Sequence, residues 1–400
     1  MAPFLLTTIF FAYTLRSGQN PVESADFMIK RIMSVACIGL VSQPVLADDW
    51  RLFTRAESFS YSEANPVTAF IDFLVGPAPK DGELAFSRNV IESGVGFKSV
   101  EFSIIHRNDY NLYFSQGASE FAYLNKNRKN IPFGQRYDVD VWANQYQLTG
   151  AKFGFTLPLS KTLNAHLAYS HLYASEAVSG YLGKDPNGEG GYIAMIERQD
   201  GDRMVKALDG DLHTDYFFTD DPLFQNRVDA PMGQGYAVDL GLTWQISDRL
   251  SLAVMGYDVA GEISWKGMHH IVADATSENF VTDEDGVVSV VPNFKGTQTR
   301  ENFTQDLTKR TSLDLTYVYN QFVFGYSHDR MSRSEFNRLS AGYLWGEKRT
   351  WGLHLAGDVS TSAVELRLAM PAGDLYFITD NLDFDNAHTL GFGWNLYFRF

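Results

Sequence analysis

The chain has 400 residues, 33 Lys+Arg against 48 Asp+Glu, and a formal charge of −15. With 14% aromatic and only 20% charged residues it is too apolar for a disordered chain, and it has no collagen, coiled-coil or disulfide-scaffold composition. The acidic balance excludes a nucleic-acid binder, which needs a basic face for phosphates, and one cysteine, Cys37, excludes an internal disulfide.

The first element is a processing segment. From Met28, Lys30 and Arg31 form a positive n-region, Ile32 to Val41 is apolar, and Val45-Leu46-Ala47 ends in a small residue. This predicts a secretory signal peptide over 28–47, cleaved after Ala47. The apolar run is too short for a bilayer helix, which needs about 20 residues. Residues 1–27 read as a start placed too early or as an N-terminal extension, and both readings give export. Ser34-Val35-Ala36-Cys37 loosely resembles a lipobox, but the apolar run continues past the cysteine.

Residues 48–400 read as one all-β domain with a period of two. Strands fall at about 50–62, 84–97, 100–114, within 137–159, then 163–175, 236–246 and 250–263. They continue at about 311–319, 322–330, 337–345, 349–359, 363–370, 375–381 and 388–400. Two assignments stay open. Strand 50–62 lacks clean alternation and could be a lumen segment, and 137–159 could be two strands turning at Gln147 to Gly150. Short turns join neighbours so that their apolar sets share a face. Tyr319 meets Phe322 across Asn320-Gln321, and Phe97 meets Val100 across Lys98-Ser99. The same agreement holds across Ser160-Lys161-Thr162, Ser247-Asp248-Arg249 and Pro371-Ala372-Gly373-Asp374. A soluble sandwich or solenoid would also show an apolar face. The alternation of short and long connections and the aromatics at strand ends weigh against it.

The last strand is the clearest. Leu390, Phe392, Trp394, Leu396, Phe398 and Phe400 alternate with small or polar residues. Phe398 and Phe400 with this pattern resemble the C-terminal assembly signal of bacterial outer-membrane β-barrels, with Asn395 where that signal usually has glycine. The resemblance covers residues 48–400 and implies a transmembrane antiparallel β-barrel of about fourteen strands, within twelve to sixteen. It implies termini and short turns on the periplasmic side, contact with outer-membrane lipid and lipopolysaccharide, and recognition by the barrel-assembly machinery through the last strand. The barrel size also resembles that of the long-chain fatty-acid channel class, without its N-terminal hatch pattern.

A barrel this wide is not filled by wall side chains alone. The apolar loop segment Asn65 to Val75 is a candidate plug, with a loop helix or an extra strand as equal alternatives. Charge on a lipid face costs about 2–4 kcal/mol per Arg or Lys at the midplane, so the strand charges should face inward. This assigns Arg88, Glu92, Arg107, Asp109, Asp314, Asp329, Arg338, His354, Asp358, Glu365 and Arg367 to the lumen. They could line a field-sorting pore or form a structural ion-pair network. For Arg88 and Asp109, directly opposed across a hairpin, a structural pair is the favoured reading.

Two long external connections, about 176–235 and 264–310, are acidic. Asp200-Gly201-Asp202, Asp209-Gly210-Asp211 and Asp283-Glu284-Asp285-Gly286 could take Ca2+ but lack full calcium-loop spacing, and solvated turns are the favoured reading. No cofactor, nucleotide loop or other metal motif is predicted. His269-His270, His213 with Asp215, and His106 with Asp109 are the pairs a rim hydrolase could use. The leading expectation is an outer-membrane channel or transporter for a small or amphipathic solute, and not an enzyme. The second is a non-conducting structural, adhesin or envelope-assembly barrel acting through the long loops, and the third a rim hydrolase.

Overall fold

In a computed structural model, residues 50–71, 75–200, 203–220, 231–282, 288–346 and 350–399 are described. The expected signal peptide, its cleavage site, residues 1–27, Gly201 and Asp202 of the Asp200-Gly201-Asp202 candidate, the acidic turn at 283–286 and Phe400 lie outside these residues. The strands are β1 (Trp50–Ser62), β2 (Leu84–Phe97), β3 (Val100–Phe114), β4 (Arg136–Asp138), β5 (Val141–Pro158) and β6 (Leu163–Gly183). Next come β7 (Tyr192–Asp200), β8 (Arg203–Phe218), β9 (Gly233–Gln245), β10 (Leu250–Thr282), β11 (Val288–Asp306) and β12 (Arg310–Tyr319). The last six are β13 (Phe322–Met331), β14 (Ser334–Trp345), β15 (Trp351–Asp358), β16 (Val364–Met370), β17 (Gly373–Thr379) and β18 (Thr389–Arg399). Among the described residues two α-helices, α1 (Val67–Ile71) and α2 (Gln116–Lys126), and a 3-10 turn at Phe384–Asn386 complete the fold.

Fourteen strands close one antiparallel barrel in the order β1, β2, β3, β5, β6, β9, β10, β12, β13, β14, β15, β16, β17, β18, with β18 returning to β1. The registers follow the apolar alternation. Tyr319 pairs with Phe322, Phe97 with Val100, and Leu368 with Leu375. That last turn is tighter than expected, because Met370 pairs with Gly373 and only Pro371-Ala372 stand between them. Gly373 takes φ +140°, and a Cβ there would collide with the Asn395 carbonyl, so only glycine fits. The 50–62 segment is a strand paired on both edges, and 137–159 is one long strand, β5, with the short β4 before it.

One face of every wall strand except β1, whose outward residues are mainly small or polar, carries large exposed apolar side chains: Phe102, Ile104, Phe153, Leu167, Leu240, Leu339, Leu355, Phe392 and Phe398 among them. On a soluble protein so continuous an apolar surface would be a liability. As the outward band of a closed barrel it is what hydrocarbon requires. No described helix is long and apolar enough to cross a membrane, so the crossing is made by strands. This is the architecture of an outer-membrane β-barrel.

The two long connections are not plain loops. β8 continues the wall above β9, pairing with β6 on one side and β10 on the other. β11 continues it above β12, antiparallel to β10 from Glu262 to Thr282. The barrel thus carries a tall outer wall on one side, which β7 and β4 extend.

Of the readings of 65–75, the loop helix is the one found: α1 does not lie in the lumen, and residues 72–74 are outside the described ones. Ala69 of α1 joins an apolar cluster with Ala85 and Leu112, whose register points them away from the barrel axis. Helix α2 packs into the same cluster through Ala118, Phe121 and Ala122. It starts at Ser115, whose Oγ accepts from the Ala118 N–H at 3.2 Å. Both helices therefore buttress the outside of the outer rim.

The rim itself is held by His388. Its ring Nδ1 lies 2.9 Å from the Ser62 carbonyl, and its own carbonyl accepts from the Ser62 N–H at 2.9 Å. Burial, with Lys80 nearby, pushes the imidazole below its usual 6.5, against the Ser62 bond. The fold thus favours neutral His388, so its contribution is full above pH ~6.5 and is lost as pH falls below that value. Backbone amides from Ser62 to Val67 should exchange hydrogen faster at pH 5 than at pH 7, after correction for intrinsic rates. A His388→Asn variant should lose that extra acceleration, and equal protection at both pH values would show that His388 does not set it.

Candidate functional site

The strand register brings the inner-face charges into two networks. In the first, Arg107 on β3 donates to Asp109 (2.5 Å) and to Asp258 of β10 (2.5 Å), and its Nη2 lies 3.1 Å from the Tyr146 hydroxyl. Tyr146 in turn donates to Asp109 at 3.0 Å. All four residues are buried. Beside them Lys152 reaches Asp239 at 2.8 Å and Glu92 at 3.7 Å, and Glu92 accepts from Ser103 at 2.8 Å. Toward the end where β1 starts and β18 finishes, Arg51 and Arg55 hold Glu101 at 2.6 and 3.1 Å.

The second network runs along the other wall. Arg310 of β12 contacts Asp329 at 3.0 Å, and Arg338 lies within 3.4–3.6 Å of Asp329, Asp358 and Glu365. Arg367 joins Glu365 (2.9 Å) to Asp374 (3.3 Å). His354 stands opposite Arg367, and Asp314 opposite Ser327, on the same inner face. Asp358 also caps its own turn, accepting from the Ser360 and Thr361 amides.

The two walls meet. Arg310 also donates to both oxygens of Glu57, at 2.6 and 2.9 Å. β1 and β12 are seven strands apart in either direction around the barrel, so this pair spans the full lumen. Aromatic contacts cross with it: Phe336 packs edge-on against Phe59 at 5.3 Å and against Phe86 at 6.1 Å. Higher up, Tyr113 bonds Ser332, and Asn111 donates to Thr308 at 2.9 Å. Immediately beside Arg310, Leu307-Thr308-Lys309 line a cavity of about 500 Å3, whose other sides include Asn111, Tyr113 and Trp142.

One expected pair is replaced. Arg88 is opposite Asp109 in register, but the Asp109 oxygen that is bonded takes its hydrogen bonds from Arg107 and Tyr146. The Arg88 guanidinium lies over the Tyr257 ring, 5.6 Å from its centre, and its Nε has no hydrogen-bond partner. The physical reason is Arg107, two residues from Asp109 on the same inner face of β3, which occupies that oxygen. The ladder slips between Gly256 and Ala260, and Asp258 adopts φ 53° with its N–H on the Asp239 carboxylate. This bulge turns Asp258 inward, where it takes the other arm of Arg107.

Asp258, Asp239, Lys152, Glu57 and Arg310 were not among the expected lumen residues. Asp239 alternates with Val238 and Leu240, and Lys152 precedes the outward Phe153, so their inward direction was legible. Asp258 was not, because simple alternation places it opposite the inward Tyr257.

The outer histidines separate. His106 bonds Thr149 on the outer face, across the wall from Asp109. His213 bonds Asp274 at 2.7 Å, not Asp215, while His270 lies 2.8 Å from Asp215 and 3.3 Å from Glu301. His269, on the opposite face from His270, is buried against Phe218. Asp209-Gly210-Asp211 is not a turn but lies within β8, paired with Tyr192 to Ala194 of β7, and Asp209 accepts from the Tyr192 hydroxyl. Burial, then Asp274 and Asp185, pushes the Asp211 carboxyl above its usual range. Among the described residues no group of three or more His, Cys, Asp or Glu is placed to hold a metal ion.

No protein-family model matches the chain. No curated protein sequence matches it either. Among solved structures it is similar to the toluene transporter TodX of Pseudomonas putida, at 10% identity, 88% coverage of each chain and a TM-score of 0.39. It is also similar to a FadL homologue of Pseudomonas aeruginosa, at 9% identity, 87% and 90% coverage and a TM-score of 0.26. The translocator domain of the autotransporter NalP from Neisseria meningitidis gives 10% identity, 95% and 96% coverage and a TM-score of 0.27.

Proposed function

We propose that the chain is a bacterial outer-membrane channel for a small amphipathic solute, closed at rest by the ion pair that crosses its lumen. The observation that carries this reading is the adjacency of cavity and crossing. The Leu307-Thr308-Lys309 wall of the cavity runs directly into Arg310, which grips Glu57 on the far side. A cavity of this size suits a small organic molecule, and its mix of ring faces with amide and hydroxyl groups and the charges of Glu262, Asp306 and Lys309 suits one with both apolar and polar parts. Under this reading the solute settles above the constriction and passes when Arg310 and Glu57 part.

A second reading is favoured by the number of contacts that cross the lumen. Arg107–Asp258, Phe59–Phe336 and Tyr113–Ser332 all join separated parts of the wall, as a non-conducting scaffold would require. Refolding residues 48–400 in detergent, checking closure by heat-modifiable gel mobility and recording in a planar bilayer separates the two. Brief, discrete openings that lengthen when the solute is present support the channel. A folded barrel that stays silent at all voltages and in every charge variant supports the scaffold.

A further inference from the structure

β11 is a tall edge strand. Over Asn293 to Asp306 its only strand partner among the described residues is β10, and nearly every residue of this stretch is exposed. Such an edge presents a row of backbone N–H and C=O groups ready to pair with another strand. Long exposed edges persist in native proteins when something covers them or when their pairing is itself useful.

The side chains say what fits. In an antiparallel pairing of β11 with a second β11 centred on Gln298, Lys295 falls opposite Glu301, Thr297 opposite Thr299, and Gln298 opposite itself. Opposite charges and paired threonines are the favourable cross-strand combinations. Moving the centre by one residue either way puts threonine opposite Lys295 or Glu301 and loses both charge pairs. A parallel, in-register pairing sets lysine against lysine and glutamate against glutamate, which is repulsive. Thr299 and His270 hydrogen-bond Glu301 and hold its carboxyl below the usual range, so it stays charged.

We infer that β11 is a homophilic docking edge, pairing antiparallel with the β11 of a second copy through Lys295–Glu301 contacts. The direction of the strand fixes the geometry of the pair. β11 runs down into β12 along the wall, so two barrels in one membrane present it in the same direction. Antiparallel pairing therefore joins barrels that face each other from apposed membranes, which makes the tall outer wall a cell-to-cell contact. This role is independent of whether the lumen conducts.

The test uses the full chain with Cys37→Ser, reconstituted in phosphatidylcholine vesicles, with folding of each variant checked by heat-modifiable mobility. Vesicles carrying the protein should cluster by light scattering, while Lys295→Glu should fall to the level of protein-free vesicles. Lys295→Glu with Glu301→Lys should restore clustering. Under mild oxidation Gln298→Cys should form a disulfide dimer, because directly opposed Cα atoms are ~4.5–5.5 Å apart. Lys295→Cys should not link to itself but should link to Glu301→Cys when the two are mixed. Self-linking of Lys295→Cys would mean parallel pairing and overturns the proposal. Absence of clustering, or clustering indifferent to both charge variants, overturns it as well.

Discussion

Glu57→Arg should turn a quiet barrel into one that carries sustained current. The wild-type carboxylate takes two hydrogen bonds from Arg310 across the whole lumen. The substitution sets two guanidinium groups against each other at that point. At an effective dielectric of about 20, a unit-charge pair ~4 Å apart is worth about 4 kcal/mol, so reversing the sign swings the contact by roughly twice that. Arg310 keeps its Asp329 partner and stays on its own wall, leaving the new arginine to move away. The readout is open probability in a planar bilayer, with heat-modifiable mobility showing that the barrel still closes. Glu57→Gln should act in the same direction and more weakly. If both variants fold and remain as silent as wild type, this ion pair is not the barrier and the channel reading fails with it.

The second large effect falls on stability. Arg107→Ala should destabilise the barrel by about 3–5 kcal/mol, the cost of removing one partner from a buried ion pair and leaving charge behind. Here two carboxylates, Asp109 and Asp258, lose their shared cation, and both are buried. Arg88→Ala should cost clearly less, since Arg88 does not donate to the bonded oxygen of Asp109. Urea unfolding in lipid, followed by tryptophan fluorescence, gives the comparison. Equal losses for the two variants would mean that the cross-hairpin pair Arg88–Asp109 is the structural one after all.

That comparison marks the boundary of what alternation can reveal. Below the rim the apolar residues must face hydrocarbon, so Leu390 to Phe398 or Leu313 to Tyr319 declare strand, face and register at once. The wall continuation above the rim has water on its surface and no such constraint. Thr297, Gln298 and Thr299 of β11 carry no apolar alternation, and β8 finds β6 and β10 by distant pairing. Those stretches therefore read as loops. Helix α2 is not legible for a related reason, since its apolar side is narrow and its partners Leu182 and Ile193 lie far along the chain. Within the lumen, parity assigns a face to each charge but no partner, and it gives no sign that the bulge at Asp258 brings a second carboxylate to Arg107.

The pairing of β1 with β18 also governs when this chain can become a membrane protein. The seam joins Arg51 to Arg399 and Tyr61 to Thr389, the first wall strand to the last. Until β18 is in place, β1 and β17 each keep one unpaired margin, and every open amide there costs several kcal/mol in hydrocarbon. The ring cannot be completed from the amino end as synthesis proceeds. A nascent chain must be kept from the bilayer until β18 is delivered. A lesion that frays β18 should then strand the whole polypeptide in the periplasm, exposed to proteases, rather than yield a slightly weaker barrel.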